Sequence, residues 1–220
     1  MVLQTMGLTK SYERRGERFL AADNIDLQVA ADDFICVTGE SGSGKSTLLN
    51  MLTGMIRADS GAILFDGEDL CKLGDDELAH LRNGKIGYIP QGNSLLQNFS
   101  VLDNVCLPWY LTRKDDIKNT ARALLLKMGI ADLERESPRN LSGGESRRVA
   151  IARSLIASPK ILIADEPTGD LDPRNTDEVI RLFAEVHSQG VAVIIVTHER
   201  QVPSCANRHL MMVCGRLHAQ

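Results

Sequence analysis

The apolar residues of this chain change rhythm from segment to segment. Ile25, Leu27 and Val29 alternate with Asp26, Gln28 and Ala30, the period of two expected of a half-exposed strand. Phe34-Ile35-Cys36-Val37 is continuously apolar and predicts a more deeply buried strand. Gly61 to Phe65 predicts a short strand closed by an Asp66-Gly67 turn, and Lys85 to Ile89 one stopped by Pro90, with a short helix over 75–82 between them. From Asn93 to Asn140 the spacing shifts to three and four residues, notably in Val101 to Val105 and Ile117 to Met128, which predicts a mainly helical insert. Beyond Ser142 the pattern gives a helix, an apolar strand Lys160 to Asp165, a helix over 175–188, an apolar strand Val191 to Val196 and a hairpin within Leu210 to Leu217. Strands apolar throughout that alternate with helices form a parallel sheet covered on both faces.

The expected fold class is therefore α/β, a parallel-sheet core with an antiparallel β subdomain in front and a helical insert within it. One domain is expected over 1–220, with the core and β subdomain in 1–91 and 141–220 and the helical subdomain in 92–140.

Chemistry enters at the strand ends. After Val37 come Gly39-Glu40-Ser41-Gly42-Ser43-Gly44-Lys45-Ser46-Thr47, a glycine-rich turn opening onto the apolar helix start Leu48-Leu49. This is a P-loop: backbone N–H groups and a helix N-terminus converge on phosphate, Lys45 reaches the β- and γ-phosphates, and Ser46 ligates Mg²⁺. A second strand, Ile161 to Ala164, delivers Asp165 and Glu166 to the end of the sheet where open α/β folds bind ligands. Asp165 suits Mg²⁺, through water or through Ser46, and Glu166 suits the water that attacks the γ-phosphorus. Upstream, Leu141-Ser142-Gly143-Gly144-Glu145 places a serine N-cap and two glycines at a helix start, a second anion cradle that the P-loop does not need for its own nucleotide. Two cradles in one chain fit a dimer.

Composition narrows the partners. The 220 residues are 43% apolar and 25% charged, an ordinary soluble globular composition. Twenty-five basic against 29 acidic residues give a net charge of −4 with no basic block, which argues against a nucleic-acid partner. No basic-then-apolar leader and no apolar run of about 18 residues occurs, so neither secretion nor membrane insertion is expected. The five cysteines, Cys36, Cys71, Cys106, Cys205 and Cys214, are widely spaced without a Cys-x-x-Cys pair, which favours a reducing compartment and no structural metal.

Taken together, Gly39 to Thr47, Leu141 to Glu145 and the Asp165-Glu166 pair resemble the ATP-binding subunit of an ABC transporter, and the resemblance covers essentially the whole chain. It implies an ATPase using ATP and Mg²⁺. Tyr12, before the first strands, would stack on adenine. Gln91 would sense Mg²⁺ and the attacking water, His198 would contact the γ-phosphate, and Asp172, in Gly169-Asp170-Leu171-Asp172, would cross a dimer interface. The resemblance further implies a homodimer around two ATP, each held by one P-loop and the partner's Ser142-Gly143-Gly144. The dimer would sit in the cytoplasm at the inner face of the cell membrane, attached to a separately encoded permease. Leu8-Thr9-Lys10-Ser11-Tyr12, Asp76 to Arg82 and Pro167 to Asp172 resemble in particular the short subunits serving lipoprotein release, macrolide or peptide export and the cell-division complex. That group leaves open both export and ATP-dependent regulation of a membrane complex without transport. Trp109 and Tyr110 either anchor the permease or pack inside the insert.

The sequence departs from the family in three places. Ala31-Asp32-Asp33-Phe34 replaces a glycine-glutamate turn, Glu145-Ser146-Arg147-Arg148 replaces a glutamine-containing run, and Gly92 directly follows Gln91, where it would loosen the hinge to the insert. A DNA- or ribosome-remodelling ATPase lacks its usual coiled-coil insertion or tandem domain here, and a P-loop kinase would leave Leu141 to Gly144 and His198 unexplained. His80, His187, His209 and His218 read as capping or surface residues, and Arg14, Arg15 and Arg18 as a solvated loop.

Overall fold

The computed structural model describes residues 1–113, 115–198 and 204–220. The chain opens with β1 (Leu3–Arg14) and β2 (Glu17–Val29), a long antiparallel hairpin whose turn carries Arg15 and Gly16 at φ 55° and 81°. Then come β3 (Phe34–Thr38), α1 (Lys45–Leu52), β4 (Ser60–Phe65), β5 (Glu68–Asp69), α2 (Asp75–Lys85) and β6 (Ile86–Ile89). Next are α3 (Val101–Tyr110), α4 (Lys118–Lys127), α5 (Gly143–Leu155), β7 (Ile161–Asp165), α6 (Pro173–Ser188), β8 (Ala192–Thr197), β9 (Arg208–Val213) and β10 (Arg216–Ala219). A four-stranded antiparallel sheet runs β2-β1-β4-β5, and a six-stranded sheet runs β10-β9-β3-β8-β7-β6. In the larger sheet every pairing from β9 to β6 is parallel, and only the β9–β10 hairpin is antiparallel.

Alternation along the buried strands divides the interior. Ile161 and Ile163 of β7, with Ile35, Val37, Ile194 and Val196, join β1, β2, β4 and α1 in one apolar core. Leu162 and Ala164, with Phe34, Cys36, Val193 and Ile195, face the other way and meet α3, α4, α5 and α6. The larger sheet is thus covered on both faces, as strands apolar at every position require. Because β3, β8, β7 and β6 run parallel, the residues following Thr38, Thr197, Asp165 and Ile89 all emerge at one edge. That edge carries the chemistry.

Several sequence expectations shift. Tyr12 does not precede the first strands but lies inside β1, opposite Phe19, because residues 3–14 pair along almost their whole length with β2. The arginine group is likewise no loop: Arg14 and Arg18 are strand residues, and Arg18 Nε donates to Ser11 Oγ at 3.0 Å. The helix expected over 175–188 starts at Pro173, since Asp172 accepts from the Asn175 N–H and proline is tolerated at the first helical position. Lys85 ends α2 rather than starting β6. Asp33 does support the unusual turn: its Oδ2 accepts from the Ala30 N–H at 2.7 Å and from Arg208 at 2.6 Å.

Candidate functional site

The P-loop is held by two close approaches that only glycine permits. A Cβ on Gly44, at φ 109°, would lie 1.9 Å from the Ala21 carbonyl oxygen, and one on Gly39 would lie 2.5 Å from that of Met212. Gly44 also leaves the start of α1 without a side-chain cap, so its first-turn N–H groups stay free to receive an anion. Lys45 is buried, and its Nζ donates to the carbonyls of Gly39 at 2.7 Å and Glu40 at 2.9 Å, which folds it back over the loop. A cleft of 330 Å³ lies here, lined by Ser41, Gly42, Gly44, Lys45, Ser46 and Thr47, by Tyr12, Phe19 and Ala21 from the hairpin, and by Gln91 and Glu166. Ser43 falls instead on an adjoining cavity of 590 Å³ that also takes in Gly39, Glu40, Met211 to Cys214 and His198.

Opposite Lys45, the end of β7 presents its two acids in different settings. Asp165 is buried, and burial raises its carboxyl above the ordinary range, opposed by a hydrogen bond with Ser46 and by the nearby Lys45. Its Oδ1 has no hydrogen-bond partner among the described residues. A buried orphan oxygen beside a serine hydroxyl is a hard, all-oxygen donor set of the kind Mg²⁺ takes. Glu166 leaves the strand in a left-handed conformation, φ 48°, its N–H donating to the Val196 carbonyl at 2.8 Å. That reversal aims the carboxylate sideways, where both oxygens are engaged: Gln91 Nε2 donates to Oε2 at 2.6 Å and His198 Nδ1 lies 2.8 Å from Oε1. Gln91, Glu166 and His198, 75 and 32 residues apart in the chain, thus form one cluster.

The far end of the cleft is aromatic. The Tyr12 and Phe19 ring centroids are 6.0 Å apart, and Lys10 Nζ lies 5.8 Å from the Tyr12 ring. Both rings are substantially exposed, at 39% and 45%. Large exposed apolar rings at the mouth of a polar phosphate cleft are suited to stacking on a planar base. Sequence reasoning missed Phe19; its only signal was a phenylalanine on the far side of a hairpin whose length had not been recognised.

The Leu141 to Glu145 segment and Asp172 do not line this cleft. Ser142 caps α5 reciprocally: its N–H and hydroxyl donate to Glu145 Oε2 at 2.7 and 2.8 Å, and the Glu145 N–H returns to its Oγ at 3.3 Å. These bonds hold the Glu145 carboxyl below its usual value. Asp172 caps α6 in the same manner through Asn175, whose N–H and side-chain amide depress its carboxyl likewise. The two helix starts touch. Arg148 donates to Glu178 at 2.6 Å and to Asn175 Oδ1 at 3.4 Å, and a Cβ on Gly144 would lie 2.4 Å from that same Oδ1. Asn175 and Glu178 were not singled out from sequence, and Arg148 only as part of the run that departs from the family, since nothing local ties positions about 30 apart. Leu141 and Gly143 border a second cleft of 260 Å³ with Gly92, Arg147 and Asp170.

Known proteins resemble the chain in sequence and in fold. A protein-family model described as ABC transporter matches residues 22–169. Over 219 residues the chain is 42% identical to the lipoprotein-releasing system ATP-binding protein LolD of Geobacter metallireducens, covering 98% of this chain and 97% of that one. It is 37% identical over 215 residues to the macrolide export ATP-binding/permease protein MacB of Chlorobaculum tepidum, covering 97% of this chain and 33% of that longer protein. A solved ATP-binding cassette, dimeric in a post-hydrolysis state with ADP and Pi bound, superposes with a TM-score of 0.90 at 31% identity, over 98% of this chain and 96% of that one.

Proposed function

Because the chain belongs to the ABC transporter family and is an ATPase of that type, we propose that it hydrolyses ATP in the cleft between Tyr12 and Glu166 and does so as a homodimer. The adenine stacks on Tyr12 and Phe19, the phosphates enter the Gly39–Thr47 loop, and Lys45 turns from the loop carbonyls to the β- and γ-phosphates. Ser46, backed by Asp165, would hold Mg²⁺, whose charge offsets that of the phosphates. Glu166 accepts a proton from the attacking water as the water oxygen bonds to the γ-phosphorus and the bond to the bridging oxygen of ADP breaks. Gln91 and His198 fix the direction of that carboxylate. The observation that carries this reading is Glu166 held at 2.6 Å by Gln91 and 2.8 Å by His198 beside the P-loop.

Ser142-Gly143-Gly144 and Asp172 face a second subunit's nucleotide in this scheme, a view supported by their absence from the chain's own cleft and by the dimeric cassette it resembles. No helix among the described residues is long and apolar enough to cross a membrane. Near-full-length likeness to the ATP-binding protein of a lipoprotein-releasing system supports a separate permease, met by the helices between residues 92 and 140 at the inner face of the membrane. Near-full-length likeness to a lipoprotein-releasing ATPase favours lipoprotein release over macrolide export as the work being powered. Steady-state ATPase of Glu166→Gln, with size-exclusion chromatography in ATP, is the test. Loss of turnover by about a hundredfold or more together with an ATP-dependent dimer is expected. Retained turnover in a monomer would overturn both the role of Glu166 and the shared site.

A further inference from the structure

Gln91 stands at the start of a strap, residues 90–94, that leaves β6 and carries Gly92 in a left-handed conformation at φ 76°. Such a strap has little of its own to fix it, yet Gln91 must be placed to within a fraction of an ångström to reach Glu166 at 2.6 Å. The fixing comes from α5. Arg147, which is 7% exposed, donates from its guanidinium to the Pro90 carbonyl at 3.4 Å. Six residues on, Arg153 donates to the Ser94 carbonyl at 2.9 Å and to its hydroxyl at 2.5 Å. One arginine therefore holds the first residue of the strap and the other holds the last. Near the start of β6, α5 also lies close: a Cβ on Gly87 would sit 2.8 Å from the Ser154 carbonyl oxygen.

The two holds differ in kind. Arg153 makes two short bonds and acts as a fixed anchor. Arg147 makes one long bond and lines the 260 Å³ cleft together with Gly92 and Asp170. Asp170 is the charge that acts on its guanidinium, and it lies in the Gly169–Asp172 loop. A buried cation between a hinge carbonyl and a loop carboxylate is drawn toward both.

We propose that Arg147 is a positioning residue for ATP hydrolysis, holding the Gln91 strap against α5 so that Gln91 meets Glu166, and linking that placement to the Asp170 loop. The inference rests on the catalytic reading of Glu166 above. It concerns the segment where a glutamine-containing run is replaced by Glu145-Ser146-Arg147-Arg148, and it gives the replacement a task.

The test is the ATPase kinetics of Arg147→Ala, Arg147→Lys and Gln91→Ala, the double variant Arg147→Ala/Gln91→Ala, and Glu166→Gln in parallel. Arg147 touches neither the P-loop nor the Tyr12 rings, so Arg147→Ala should lower kcat by about tenfold while the KM for ATP stays within about twofold. Arg147→Lys, which keeps the charge, should recover most of kcat. In the Gln91→Ala background the further loss of Arg147 should cost nothing, because the residue acts through Gln91. Losses that multiply in the double variant, a wild-type kcat in Arg147→Ala, or a rise in KM matching the fall in kcat would each overturn the proposal. Should Arg147→Ala not fold, Arg147→Gln takes its place with the same criteria in the Gln91→Ala background. A dead Glu166→Gln beside an unaffected Arg147→Ala removes this inference alone, whereas an active Glu166→Gln removes the catalytic reading and this inference with it.

Discussion

Asp165 and Glu166 are neighbours in sequence and opposites in environment. Asp165 completes β7 in regular strand geometry and stays inside, whereas Glu166 takes φ 48° and turns out to meet Gln91 and His198. A buried carboxylate with an orphan oxygen destabilises the fold, and the direction of its titration makes this measurable. Burial raises the Asp165 carboxyl in the folded state, so between its ordinary value and the raised one the folded chain keeps a proton that the unfolded chain has released. Stability contributed by this group is therefore present at low pH and falls as pH rises through that window. Asp165→Asn removes the titration. Its melting temperature should exceed that of the wild type by roughly 2–4 °C at pH 8 without Mg²⁺, the shift expected for about 1 kcal/mol in a chain of this size. The gap should close as pH is lowered through the carboxylate range. Thermal melts from pH 4 to 8 in a chelator decide this, and a gap independent of pH counts against the desolvation argument. The same variant should lose Mg²⁺-dependent turnover, a residue kept for function at a cost in stability.

At the scale of elements, α5 does more than present Ser142. Its second turn meets the Gln91 strap through Arg147 and α6 through Arg148, and its end anchors that strap through Arg153. None of this was legible in the sequence. Capping by Ser142 was readable because caps act over three residues, and the Asp66-Gly67 turn because two adjacent left-handed residues suffice to make it. The α5 contacts join residues 27 to 59 apart, and no local period encodes such a pair. The long β1–β2 hairpin was missed for a related reason: residues 3–14 mix apolar and polar side chains irregularly, and pairing shifts near Thr5 to Ser11 break the alternation. Gly144→Ala tests how tightly α5 and α6 are joined. Its Cβ would enter the space of Asn175, whose Oδ1 accepts from Arg148 and whose Nδ2 donates to Asp172. Overpacking of this sort costs about 1–3 kcal/mol, read as a lower urea midpoint at unchanged m-value. Adding Asn175→Ala, which opens that space, should recover part of the loss; an identical midpoint in Gly144→Ala would show that the helices separate freely.

At the scale of the molecule, the P-loop, Gln91, Glu166 and the Tyr12 and Phe19 rings line one cleft, and the Ser142 helix start does not line it. If two subunits pair head to tail, each site draws its P-loop from one chain and its Ser142 segment from the other, and this arithmetic separates a shared site from two independent ones. Lys45→Ala removes the P-loop function of a chain and leaves its Ser142 segment intact; a bulky Ser142→Phe does the reverse. Each variant alone forms dimers in which both sites are defective. In a mixed dimer, one site combines both lesions, and the other combines the intact P-loop of the Ser142→Phe chain with the intact Ser142 segment of the Lys45→Ala chain. Mixing two inactive proteins should therefore restore turnover, rising with the mixed-dimer fraction to about half the wild-type value per such dimer if one site suffices for hydrolysis. The measurement is phosphate release across a series of mixing ratios at fixed total protein. Activity that stays at the level of the parents at every ratio would mean that hydrolysis needs both sites at once or that the sites are not shared. Chromatography of the Glu166→Gln protein in ATP separates those two outcomes, because only shared sites make the dimer depend on nucleotide.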